Sequence, residues 1–398
     1  MNHGRRPRVA FLRGSYINAF ESQYLELLLD EFDVTAIHAG YRRFDVEAIE
    51  LPRRRVRGLD YLDGLVPRDV FGTRLPNPLK RLGFEEVMLG LRGALSDFDL
   101  VHTAETSFYF SWQAATLADE LGFGLVTTQC EIVPHWHQGR RGLARRAAFV
   151  RERTDVFHAR SERARRALVT EGVDPGRIHV VGHGVDLERF HPGEPDLELR
   201  RRAGVEDGAF VVLFVGRLVW TKGIFALADA AALLLRDRAF RALRPVFMMV
   251  GGGSERARLE RRVERLGLGA HFRLLGERPY DEIPDLHRLA DLFVLPSIPS
   301  RTILEQFGIA LVEAMATGTP VISTHCGAID EVVGEAGVLV QPNDALRLAE
   351  VIGDLATGPA RRVELGRAGL ERARSRFSRE RIAEGLATIY RAALARRA

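Results

Sequence analysis

The chain has 398 residues, 46% hydrophobic and 28% charged, which is ordinary for a globular protein and long enough for two domains with separate cores. A net charge of +4 is too small a surplus to argue for nucleic acid, and two distant cysteines, Cys130 and Cys326, write neither a disulfide framework nor a zinc ribbon. The basic N-terminus has too short an apolar run for a signal peptide, and IFALADAAALLL, broken by Asp229, falls short of the ~20 residues of a membrane span, so a cytoplasmic location is expected.

In chain order, RVAFL (8–12) reads as a strand, followed by Gly14-Ser15 and then a helical pattern, ESQYLELLLDEF. Short β-branched runs recur between helical segments: DLVHT, GLVTTQ, VFHA and IHVVG, then VVLFVG, VFMMVGGG, FRLLG, LFVLPS, PVIST and GVLVQP. This alternation predicts α/β architecture with parallel sheets covered by helices. Residues 191–207, rich in Pro, Gly and charge, read as a linker between an N-terminal domain (1–190) and a C-terminal domain (208–376). A last helix (377–398) has apolar residues at helical spacing. Two doubly wound domains facing one another are expected to bind ligands in a central cleft at the carboxyl ends of their strands.

Arginine dominates the basic residues, and the two lysines are Lys80 and Lys222. In FVGRLVWTKG (214–223) an apolar strand runs into Arg217 and then Lys222. Two cations at a strand's exit suit a diphosphate, and a solvated loop is the plainer alternative. VFMMVGGGSERARLE has a glycine cluster before a helix, but not at G-x-G-x-x-G spacing.

EQFGIALVEAMATGTP (305–320) is more specific. The amides of Gly308 and Ile309 at a helix start favour an anion. Carboxylates beside a phosphate would repel it, so Glu305 and Glu313 are expected to bind sugar hydroxyls. Eight helical residues make ~800°, ~80° past two full turns, with ~12 Å of rise, which lets the two acids reach different parts of one ligand. The plain alternative is one favourable charge at a helix N-terminus and one surface acid.

This Glu-x7-Glu segment, with G-R-L-x-x-x-K-G upstream and G-V-D-x-x-R-F-x-P before the linker, resembles the retaining, nucleotide-sugar-dependent family 4 glycosyltransferases of GT-B fold. The resemblance implies two Rossmann-like domains, the first binding the acceptor and the second the donor, with the C-terminal helix crossing back to the first. It implies that Arg217 and Lys222 neutralise the donor diphosphate, assisted by the Gly308 and Ile309 amides. It also implies that Glu305 holds the transferred sugar, Glu313 the ribose, and that Arg278 lies in the segment meeting the nucleobase. Glu305, Arg217 and Lys222 are thus the expected catalytic residues, with no tightly bound cofactor and no metal.

In the N-terminal half, Gly14 stands where the family's glycine-rich loop approaches the phosphates, although RGSYINAFESQ is not a run of glycines. His102 and Glu105 in DLVHTAET match a pattern in which Ala104 and Cys130 replace histidines of many relatives. His102, Glu105 and Glu131 are expected on the acceptor side. Asp97-Phe98-Asp99 imitates a D-x-D metal motif, but it precedes a strand and is set aside, as is His135-Trp136-His137 for want of a third ligand. The basic stretches 139–153 and 160–168 read as solvated helix faces or as a peripheral surface for anionic lipid, with Leu143, Phe149 and Val150 supplying little apolar area.

The expected function is transfer of a sugar from a nucleoside-diphosphate donor to the hydroxyl of a glycan, lipid-linked or small-molecule acceptor, with no nucleic-acid partner. The rivals are an epimerase or phosphorylase of the same fold and a non-catalytic nucleotide-sugar-binding protein.

Overall fold

Buried apolar runs become the strands of two sheets in a computed structural model that describes residues 5–39, 49–58, 86–137, 139, 141–300 and 303–397. Lys80 lies outside the described residues. The chain divides into one unit made of Met1–Gly184 with Arg379–Ala398, and a second made of Val185–Ser378.

Among the described residues, the first unit holds β1 (Arg8–Gly14), β2 (Asp33–Ala39), β3 (Arg53–Gly58), β4 (Met88–Leu89), β5 (Leu100–Ala104), β6 (Gly124–Gln129), β7 (Val156–Ala159) and β8 (Ile178–Val180). They form one sheet in the order β4-β3-β2-β1-β5-β6-β7-β8, parallel except where β3 meets β4. The second unit holds β9 (Val211–Val215), β10 (Val246–Val250), β11 (Phe272–Gly276), β12 (Leu292–Leu295), β13 (Val321–Thr324) and β14 (Val338–Val340). These pair in parallel in the order β11-β10-β9-β12-β13-β14. Each run expected as a strand is one. The strand order reverses beside β1 in the first sheet and beside β9 in the second, which is where crevices open at the strands' carboxyl ends.

Helices that matter for the site are α1 (Tyr109–Leu121), α2 (Arg141–Arg153), α3 (Glu162–Thr170), α4 (Ile224–Leu234), α5 (Ile283–Arg288), α6 (Ile309–Ala316), α7 (Pro359–Phe377) and α8 (Arg379–Ala395). Successive residues of a strand face opposite ways, and β1 uses both faces. Val9 and Phe11 pack with Ile382, Leu386 and Tyr390 of α8, while Ala10 and Leu12 pack with Phe110, Ala114 and Ala118 of α1. α8 therefore completes the first unit's core. Phe377, at the end of α7, stays in the second unit's core, and the extended Ser378 separates the two helices.

Residues 191–207, read from sequence as a linker, lie inside the second unit. Asp196 accepts from the Glu198 and Leu199 amides to start a short helix, and Leu199, Ala203 and Val205 are buried. The helix expected over ESQYLELLLDEF is replaced by one turn at Ala19–Ser22 and a 3-10 turn at Glu26–Leu28. Tertiary partners override its helical periodicity: Glu21 is drawn to Arg13 and Arg160, and Tyr24 turns its hydroxyl onto Arg160 at 2.9 Å. On α2, Val150 is buried and Phe149 packs on the core, so two of the three apolar residues considered for lipid contact face inward.

Candidate active site

In the second unit, two neighbouring strands deliver the expected residues. β9 runs out through Gly216 to the exposed Arg217 and a 3-10 turn at Trp220–Lys222. Beside it, β12 runs out through Pro296 and Ser297. Gly223 has φ +71°, and a Cβ there would collide with the Pro296 carbonyl, so a glycine is required to seat the Lys222 turn on the β12 exit. The Ile298 amide donates to the Thr221 carbonyl at 2.7 Å and ties the two loops together.

The Lys222 ammonium lies 2.5 Å from Glu305 Oε2, and the Ser297 hydroxyl donates to the same oxygen at 2.8 Å. Glu305 is fixed by its backbone as well: the Ala328 amide donates to its carbonyl at 2.8 Å. Gly327, at φ +62°, leaves room for that carbonyl where a Cβ would collide with it. Glu305 precedes α6, whose N-cap is Gly308 at φ +83°, and Ile309 is the first helical residue. The positive end of the helix thus opens next to the Lys222–Glu305 pair.

Glu313 sits one turn further along α6, 4% exposed, and its Oε1 accepts the Tyr280 hydroxyl at 3.0 Å. Burial pushes this carboxyl up to about 7, while the Tyr280 hydrogen bond acts in the opposite sense. Among the described residues, Oε2 has no hydrogen-bond partner. Arg278 is exposed on the loop after β11, 3.9 Å from Glu282, two residues before Tyr280. The guanidinium of Arg217 engages no hydrogen bond or ion pair among the described residues. The structure therefore brings Lys222 and Glu305 into contact, and sets Glu313 on the helix that Glu305 precedes. Ser297 and Tyr280 were not singled out from sequence. Ser297 had one available signal, being a polar residue just after the buried strand LFVLP, where α/β ligand sites form.

In the first unit, Gly14 ends β1, Glu105 follows β5 and Glu131 follows β6, all at the carboxyl ends of adjacent strands. Glu105 has φ +53°, unusual for a residue with a Cβ, and accepts the Cys130 amide at 2.7 Å. Burial, aided by the neighbouring Glu131 charge, raises its carboxyl to about 7 although the Cys130 amide pulls it down. Glu131 Oε1 accepts the amides of Ile132 and Val133 at 2.9 and 2.8 Å.

His102 is placed differently. It is 1% exposed inside β5, with Nδ1 2.8 Å from the Tyr390 hydroxyl of α8 and Nε2 2.7 Å from Thr128 Oγ1. Burial, together with the Arg13 and His158 charges, holds its pKa well below the usual histidine range. Both ring nitrogens are thus committed to the core. Beneath the strand ends, two buried guanidiniums share one carboxylate: Arg13 and Arg160 reach Glu21 at 3.1 and 3.4 Å. Arg13 also donates to the Leu12 and His102 carbonyls, and Arg160 to that of Gly182.

The two acids of Asp97-Phe98-Asp99 are engaged by arginines, Asp97 by Arg8 and Arg54 and Asp99 by Arg5. The Arg54 and Arg8 hydrogen bonds lower Asp97 to about 2 despite partial burial. Among the described residues, no three His, Cys, Asp or Glu are grouped to hold a metal ion. Cys130 has its thiol pushed up by burial and by the Glu105 charge, and Cys326 is packed in the second core.

Residues 196–372 match the family model of Glycosyl transferases group 1, and residues 42–189 match that of Glycosyltransferase Family 4. The D-inositol 3-phosphate glycosyltransferase 1 of Catenulispora acidiphila is 34% identical over 348 residues, 82% of this chain and 79% of that protein. The D-inositol 3-phosphate glycosyltransferase of Corynebacterium urealyticum is 36% identical over 234 residues, 56% of this chain and 54% of its own length. The crystal structure of Anabaena Alr3699/HepE in complex with UDP superposes with a TM-score of 0.76 at 21% identity, covering 96% of this chain and 98% of that one. Sucrose-phosphate synthase from Thermosynechococcus elongatus gives 0.69 at 23%, covering 97% and 98%. At such identities the likeness concerns the fold. Two Rossmann-like units with these strand-end residues define a glycosyltransferase of GT-B architecture. The chain belongs to glycosyltransferase family 4, within the group 1 glycosyltransferases.

Proposed function

We propose that the protein is a retaining glycosyltransferase that moves a sugar from a nucleoside-diphosphate-sugar to an acceptor hydroxyl. The observation that carries this reading is the Lys222–Glu305–Ser297 cluster beside the N-terminus of α6, one turn from the buried Glu313. In this reading Lys222 and Arg217 neutralise the diphosphate as its bond to the sugar breaks, with the Gly308 and Ile309 amides adding the helix dipole. Because those cations belong to the protein, transfer needs no added divalent metal. Glu305 accepts hydroxyls of the transferred sugar, Glu313 a ribose hydroxyl, and Arg278 lines the nucleobase side. Glu105 and Glu131 line the acceptor side, with His102 supporting them from within the sheet, and Gly14 is assigned to the donor phosphates. The acceptor oxygen bonds to the anomeric carbon on the face the diphosphate leaves, and a donor phosphate oxygen takes the acceptor proton.

Alr3699/HepE is described in complex with UDP-glucose, which makes a UDP-sugar the first donor to try, and the names of the relatives make D-inositol 3-phosphate the first acceptor. Among the described residues, no helix is long and apolar enough to cross a membrane. A cytoplasmic enzyme with peripheral contact through basic α2 and α3 accommodates lipid-linked acceptors as well. The test is nucleotide release from UDP-, GDP- and ADP-sugars with and without acceptors, in EDTA, with the product's anomeric configuration read by NMR. Release that depends on an acceptor and keeps the configuration supports the reading. Isomerised donor without acceptor identifies an epimerase, dependence on inorganic phosphate identifies a phosphorylase, and donor binding without turnover identifies a binding protein.

A further inference from the structure

The carboxylate of Glu313 is not presented to a ligand by α6 alone. Its Oε1 is taken by the hydroxyl of Tyr280, at 3.0 Å, leaving Oε2 as the oxygen without a partner among the described residues. Tyr280 in turn is held on several sides. Its ring lies 5.6 Å from the fully buried Phe190, and the guanidinium of Arg189 stands 5.3 Å over its centroid. Arg189 also pairs with the exposed side chain of the adjacent Asp281 at 3.1 Å. Arg189 and Phe190 belong to G-V-D-x-x-R-F-x-P, and both reach the tyrosine that bonds Glu313.

We propose that Tyr280 is the positioning residue for Glu313: it occupies Oε1, fixes the plane of the carboxylate and leaves Oε2 alone to accept a hydroxyl from the donor's ribose. This rests on the assignment of Glu313 to the ribose. A buried carboxylate with two open oxygens could rotate to serve either of two vicinal hydroxyls, whereas one oxygen already filled gives a single acceptor in a set direction. The Tyr280 bond also opposes the effect of burial on the carboxyl and favours the ionised form that accepts hydroxyls.

The experiment is calorimetric titration of the full chain with UDP and GDP, each beside its 2′,3′-dideoxy form. It uses the wild type, Tyr280→Phe, Glu313→Ala and the double variant. Tyr280→Phe keeps the ring contacts with Phe190 and Arg189, and its melting temperature reports that the fold is intact. The expected result is that Tyr280→Phe weakens the nucleoside diphosphate by about tenfold, a hydrogen bond to a charged group, and leaves the dideoxy form unchanged. In the Glu313→Ala background, the tyrosine substitution then has no further effect. Equal weakening of both forms marks a merely structural tyrosine and overturns the proposal, as does no weakening of either. Glu313→Ala that binds UDP and GDP like the wild type overturns the ribose assignment itself, and the proposal falls with it. Wild-type protein that binds neither nucleotide overturns the donor-site reading. Should Glu313→Ala fail to fold, Glu313→Leu takes its place, since it keeps a similar side-chain volume and carries no hydrogen-bonding group.

Discussion

The ammonium of Lys222 and the carboxylate of Glu305 are 2.5 Å apart, each less than one-fifth exposed, at the exits of two adjacent parallel strands. The pair is 83 residues apart in sequence and is made by the β9 and β12 loops meeting. In the proposed reading a donor diphosphate draws Lys222 toward its own oxygens and leaves Glu305 to turn to the sugar. Lys222→Ala is therefore expected to lower turnover by about 10²–10³, the scale of losing one charge stabiliser of a leaving group. The melting temperature should stay close to that of the wild type. Near-normal kcat in steady-state assays would falsify the phosphate assignment.

Ser297 donates to the Glu305 oxygen that Lys222 contacts. When a diphosphate claims Lys222, the serine hydroxyl is the bond that keeps Glu305 aimed. Ser297→Ala should cost about tenfold in kcat/KM, the size of a hydrogen bond to a charged group. Ser297→Thr, which restores a hydroxyl, should recover part of it. The check is a donor-concentration series on the three proteins, and an unchanged kcat/KM for Ser297→Ala contradicts the prediction.

Glu313 predicts opposite pH trends for stability and binding. Its carboxyl is raised from 4.5 to about 7 in the folded state, so between those values the folded protein holds more protons than the unfolded chain. The stability this contributes is complete below pH 4.5 and is lost as pH rises through about 7, amounting to up to ~3 kcal/mol. Hydroxyl binding needs the ionised form, so donor affinity should strengthen across the same window. Denaturant titrations from pH 5 to pH 8 on wild type and Glu313→Gln read the first trend, since the variant cannot ionise there. Glu105, also raised to about 7, adds its own slope, so Glu313→Gln should flatten the profile only in part.

Tyr390 of α8 bonds His102 at 2.8 Å inside the first core. Tyr390→Phe keeps the ring and leaves His102 Nδ1 buried without that partner, at a cost of about 1–3 kcal/mol. Chemical denaturation should show a lower midpoint at an unchanged slope, and donor affinity should be unaltered because the bond lies in the other unit. A loss confined to donor binding would contradict this assignment.

Much of the fold was written locally. Runs such as VVLFV and VFMMV are apolar at every position because strands of a parallel sheet are covered on both faces, and that signature survives without any partner in view. The Glu305–Glu313 spacing was legible for a similar reason, since both acids belong to one loop and the helix that follows it. ESQYLELLLDEF misled because its helical periodicity is a local property, whereas Glu21 is held by Arg13 of the preceding strand and by Arg160, 139 residues further along the chain. Residues 191–207 looked like a linker because Pro, Gly and charge dominate them, and the few apolar positions that bury them, Leu199 among these, carry little weight in a composition.

By itself the sequence determined that there are two α/β units and that helix α6 is buried beyond its start, and it marked the cations and acids that the proposed function gives to the donor. Only the tertiary structure decided who touches whom: that Glu305 is shared by Lys222 and Ser297, that Glu313 answers to Tyr280, and that His102 is sealed in the core beneath α8. The reason is range. Hydrophobic period and helix geometry act over a few residues and leave a mark in any short window. Hydrogen bonds between side chains more than thirty, eighty or nearly three hundred positions apart exist only once the strands have set their order.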